Sequence, residues 1–150
     1  MSERSPRLQV ALIVGALAIL VSGWVHFYLY FRGGYRGIQP DSFAGITISR
    51  SFALNAVAAL VIAELLVLAL KFDSLVLPAA AAGAGFGVAT MVAYFLSRTN
   101  GLLGFKETAT TTEAVIALIA EAIAIVVLLP IVISAARARL RPGSQNPVPA

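Results

Sequence analysis

The sequence predicts an all-α integral membrane protein built as a four-helix bundle. Three observations carry that prediction. Of 150 residues, 59% are hydrophobic and only 12% charged, against roughly 45–50% and 25% in an ordinary soluble domain. Mean hydropathy is +0.91, although a soluble chain of this size would still leave about a third of its unfolded surface in water. Finally, four separate runs reach the roughly 20 apolar residues needed to cross about 30 Å of hydrocarbon.

The first run covers 8–31 and ends in the aromatic stretch WVHFYLYF, with Trp24, Tyr28 and Tyr30 placed for a headgroup belt. Its basic start, SERSPR, resembles a secretory signal, but the apolar run continues past Gly23 for a full membrane width, so it reads as a retained anchor. The second run covers 51–70, the third 75–97 and the fourth 113–134. Glycine, proline and charge collect between them, in RGGYRGIQPDSFAGITISR, the tight KFDS and RTNGLLGFKETATTT. The basic, proline-containing segment 137–150 reads as a disordered tail.

With both ends in the cytoplasm, Arg4, Arg7, Lys71, Arg137, Arg139 and Arg141 lie inside, and Arg32, Arg36, Arg50, Arg98 and Lys106 outside. The inner set flanks spans simply, whereas the outer set is mixed with aromatics, glycines and acids. Placement in the cell's plasma membrane with both termini cytoplasmic is the resulting expectation.

The two hairpins also read as a duplication. A shift of 66 lays Tyr28, Leu29 and Arg32 over Tyr94, Phe95 and Arg98, and a shift of 57 or 58 lays NAVAALVIAE, ending at Glu64, over EAVIALIAE, ending at Glu121. Gly83 and Gly87, one helical turn apart, make a small-residue face suited either to packing inside the bundle or to a homodimer seam.

Several function classes are excluded early. There is no cysteine, hence no disulfide, thiolate nucleophile or sulfur-ligated cluster, and His26 is the one histidine. A P-loop, a GxSxG elbow and an HExxH pair are all missing, so catalysis is not expected. The net charge of +4 does not gather into a patch for nucleic acid.

The remaining candidates are ionisable or polar groups within the spans, where insertion costs about 2.5–3.5 kcal/mol per charge. Glu121 sits about 12 Å and Glu64 about 20 Å below the outer face by helical rise. They either line a proton or cation path or fasten helices by hydrogen bonds. His26, about 8 Å below the outer end of its span, is either a satisfied imidazole or a ligand group for haem, metal or quinone. His26, Tyr30, Arg32, Asn55, Tyr94 and Arg98 form a polar outer layer, with Asp41, Glu107 and Glu113 available to pair with the basic rim.

The motifs WVHFYLYFRGGYRGI and NGLLGFKE resemble those of a group of small, uncharacterised four-span actinobacterial membrane proteins. The likeness covers about residues 8 to 134; it implies a compartment and a span count, and brings no activity or ligand. The reading that results is a non-enzymatic accessory subunit, or a lipid-binding partner of a larger membrane complex. Its alternatives are a coupled transporter using Glu64 and Glu121, and a redox-associated protein holding haem or quinone through His26.

Overall fold

A computed structural model describes residues 5–38 and 42–140. It contains four long helices in chain order, α1 (Pro6–Phe31), α2 (Ile48–Leu68), α3 (Asp73–Thr99) and α4 (Thr112–Leu140). All four are long and apolar enough to cross a membrane. The expected all-α bundle is therefore the fold, with the end of the first span where it was expected and the other boundaries shifted by one to six residues.

Each helix starts and stops for a local reason. Pro6 opens α1, where its missing N–H costs nothing. Thr47 caps α2 by accepting the Arg50 N–H at 3.2 Å, and Thr111 caps α4 by accepting the Ala114 N–H at 3.2 Å. Asp73 and Glu113 lie in first turns, where the helix dipole favours a negative charge. Helix α4 runs six residues past the expected end and takes in Arg137 and Arg139, whose charges suit its C-terminus. Residues 137–140, expected in a disordered tail, are thus helical, while 141–150 lie outside the described residues.

The helices pack as neighbours around a ring, with α1 most extensively against α2 and α4, α3 against α4, and α2 against α3 the least. Small residues make this possible. The core is largely alanine, including Ala16, Ala59, Ala63, Ala80 and Ala124, set around Leu12, Ile19, Leu66 and Leu128. Lipid tails are as apolar as leucine, so close backbone approach and dispersion take over the role that water exclusion has in soluble cores. Leu128 is a knob seated between two glycines: a β-carbon on Gly15 would lie 2.7 Å from its Cδ2, and one on Gly83 would lie 2.5 Å from its Cδ1. On Gly87 it would lie 3.0 Å from the Glu121 carbonyl oxygen. Gly83 and Gly87 are buried against α4, so the small-residue face packs within the bundle. The outward surface carries Val10, Leu17, Trp24, Phe27, Val57, Leu60 and Val126, all exposed, as a lipid-facing helix surface requires.

The two outer loops share a plan. After α1, Gly34 takes φ +84°, and after α3, Gly101 takes φ +86°. Each chain then makes a two-residue turn closed by reciprocal hydrogen bonds, between Phe43 and Ile46 (3.1 and 2.9 Å) and between Leu102 and Phe105 (2.7 and 2.9 Å). Both central residues have positive φ in each turn, Ala44 and Gly45 in one, Leu103 and Gly104 in the other, which is the type I′ geometry. The halves therefore repeat an architecture, but not in the register that the motifs imply. Arg32 is the C-cap of α1, whereas the C-cap of α3 is Asn100, two residues beyond Arg98. Glu64 falls in the last quarter of α2 and Glu121 in the first third of α4, so the glutamates are not equivalent.

Candidate binding site

The helix ends joined by the α1–α2 and α3–α4 loops enclose a cavity of about 320 Å3 between α2 and α3, the neighbouring helices that pack least. It is reached by His26 from α1, by Ser51, Phe52 and Asn55 from α2, and by Thr90, Tyr94 and Ser97 from α3. Phe105 and Glu107 of the second loop close it from above, and the small side chains of Ala89 and Ala93 leave the space open. A smaller cavity of about 60 Å3 shares His26, Phe52, Thr90, Tyr94 and Glu107 with it and continues down to Glu121.

Beneath the cavity runs a short polar chain. Only 2% of Glu121 is exposed, and its carboxyl accepts the Ser22 hydroxyl at 2.8 Å. The Ser22 carbonyl accepts from His26 Nδ1 at 2.8 Å. A carbonyl cannot donate, so Nδ1 carries the proton, and a neutral imidazole then holds its lone pair on Nε2. Nε2 makes no hydrogen bond among the described residues, and neither does the Asn55 side chain. A second set of contacts ties the loops together above. Tyr35 donates to Glu107 at 2.5 Å, stacks on Phe52 at 4.4 Å and meets Phe105 edge-on at 5.7 Å. Glu107 is held in turn by its own N–H on the Ser97 carbonyl and by the Ala109 N–H on its carboxylate. Burial first, and then the adjacent Glu107 carboxylate, push the Tyr35 phenol well above the usual phenol range.

Of the residues expected in a polar outer layer, His26, Asn55 and Tyr94 meet at the cavity. Tyr30 instead stands edge-on to Phe31 at 4.8 Å, and Arg32 is exposed at the end of α1. Arg98 is half-buried beside the cavity wall, with Nη1 buried and without a hydrogen-bond partner among the described residues. The basic rim disperses: Arg50 donates to the Gly45 carbonyl at 2.6 Å, and Arg36 lies over the Phe31 ring at 5.9 Å. Glu107 pairs with Tyr35 and not with the rim, and Asp41 lies outside the described residues.

Neither a protein-family model, nor a curated protein, nor a solved structure matches the chain.

The two glutamates part company. Glu121 is inside, whereas Glu64 is exposed on the surface that carries Val57, Leu60 and Val61. Measured from the other end of α2, Glu64 is only four residues, about 6 Å, from Leu68, within reach of the interface for an exposed carboxyl. No group of three His, Asp or Glu side chains gathers to hold a metal among the described residues. The contributors that sequence reading missed include Phe52 and the two hydroxyl residues Ser22 and Thr90. Each of the hydroxyl pair lies four residues before a recognised site residue, His26 and Tyr94, and so on the same helical face.

Proposed function

We propose that this is a non-enzymatic membrane protein whose outer cavity holds the head of an amphiphile borne by the bilayer, in the manner of an accessory or lipid-binding subunit. The observation that carries this reading is the cavity between α2 and α3, walled by aromatic rings and lined by two unsatisfied polar groups, His26 Nε2 and the Asn55 amide. Its volume of about 320 Å3 falls in the range of small-molecule sites, roughly 300–1,000 Å3, and its mixture of apolar walls with a few placed polar groups is typical of them. A polar group inside a span, left without a partner, costs several kcal/mol in hydrocarbon, and a bound head would recover that cost. A coupled transporter finds less support, because Glu64 and Glu121 stand on opposite sides of the helix wall and share no polar path.

The test is retention. Wild-type protein extracted in mild detergent should carry a bound amphiphile visible by native mass spectrometry. Ala93→Leu, which fills the cavity, should lose it at unchanged helicity. Equal retention by both proteins would refute the reading.

A further inference from the structure

We infer that the head taken by this cavity is a hydroxylated aromatic ring, a hydroquinone or phenol, and that the site prefers it to the oxidised quinone. The inference rests on the cavity reading above and names the ligand class.

Hydrogen-bond polarity selects the head. Ser22 fixes the His26 proton on Nδ1, so Nε2 can only accept from a ligand while the ring is neutral. A hydroxyl satisfies it; a quinone carbonyl or a phosphate oxygen would bring a lone pair against a lone pair. Asn55 adapts to either polarity, because its amide both donates and accepts, and it serves a second ring oxygen. The walls argue for a ring. Phe52 packs on Tyr35 at 4.4 Å and on His26 at 5.4 Å, and Phe105 closes from above, so a guest ring meets an aromatic lining. Glu107 adds a carboxylate to the cavity lining, and no lysine or arginine among the described residues joins it there. Phosphate heads are therefore opposed twice, by charge and by the His26 lone pair. The place of the cavity, between the two helices that pack least, provides an exit toward the bilayer for a tail. Only binding is assigned; no electron or proton transfer is part of the proposal.

Full-length protein in nanodiscs would be titrated calorimetrically under anaerobic conditions with a ten-carbon-tailed benzoquinol, the matching benzoquinone and tail-free hydroquinone. The quinol should bind at least about tenfold tighter than the quinone, the ratio expected when one good hydrogen bond is exchanged for an unmade one. His26→Leu should abolish the preference and His26→Gln, which retains an acceptor, should keep part of it. Should His26→Leu fail to fold, Asn55→Leu should weaken quinol binding in its place. Binding of the tailed quinol alone identifies a membrane source, and binding of both quinols a water-borne one; each supports the ring chemistry. Equal affinity for quinol and quinone, or no binding of either, overturns the proposal. The cavity reading is then judged separately: an amphiphile without an aromatic ring that wild type retains and Ala93→Leu loses would leave it standing, and no retained amphiphile would end it too.

Discussion

Leu128 offers the sharpest check on how this bundle is held together. It is fully buried, and its two methyls occupy space that β-carbons at Gly15 and Gly83 would need. In water-soluble cores, Leu→Ala costs about 2.7–5.0 kcal/mol, part of it from transfer out of water. Between membrane helices that part vanishes, because lipid is as apolar as the core. What remains is the dispersion of the lost methyls, so Leu128→Ala should cost about 2–3 kcal/mol. Gly83→Ala drives a methyl into the Leu128 side chain and should cost about 1–3 kcal/mol by overpacking. Together the changes relieve each other, since the new methyl enters the space that leucine leaves. The double variant should therefore be more stable than additivity predicts, by about 1–2 kcal/mol. Equilibrium unfolding in mixed micelles, followed by circular dichroism, measures all four corners of the cycle. Additivity within about 0.5 kcal/mol would refute the knob between glycines.

Three other outcomes follow from the site and its loops. Ser22→Ala should destabilise the fold by about 1 kcal/mol by removing the 2.8 Å donor to the Glu121 carboxyl while the Thr90 hydroxyl stays beside it, whereas Ser22→Ala with Glu121→Leu should recover most of that loss in the same unfolding assay. Tyr35→Phe should cost about 1 kcal/mol, the small value reflecting a half-exposed site. Because the folded phenol sits above the usual value near 10, the stability it lends is complete below pH 10 and is lost as pH rises through the folded value. The ultraviolet difference between wild type and Tyr35→Phe at pH 11 should accordingly lack the phenolate band. In the first loop, Ala44→Asn should raise Tm and Gly45→Ala should lower it, each by the equivalent of about 0.5–1 kcal/mol, since both positions have positive φ.

The spans were legible because their length and hydropathy are set by the bilayer, and no alternative packing could hide four such runs. Helix rotation was much less so. When both the core face and the lipid face are apolar, the hydrophobic period that orients a helix in a soluble protein disappears, and the matching NAVAALVIAE and EAVIALIAE runs made Glu64 and Glu121 look alike. Residue size held the missing information. Ala56, Ala59 and Ala63 make the buried stripe of α2, and Glu64 falls off it. Ala117, Ala120 and Ala124 make that of α4, and Glu121 falls on it. The loop turns were harder still. NG marks a turn in the second loop, but the actual type I′ turns centre on Ala44-Gly45 and Leu103-Gly104, where leucine and alanine accept a conformation they rarely adopt. His26 was visible as a candidate; the side that its proton occupies is a tertiary fact, decided by the Ser22 carbonyl.

The connection between α2 and α3 is four residues long, while both opposite loops are longer and the second of them carries the cavity roof. All the specialised chemistry therefore hangs from one side of the membrane. A molecule inserted upside down would fold with the same helices and the same core, yet offer its cavity to the wrong compartment. For such a protein, the direction taken at insertion decides which compartment the cavity faces, and the basic residues that bias that direction are ones that do not line the cavity.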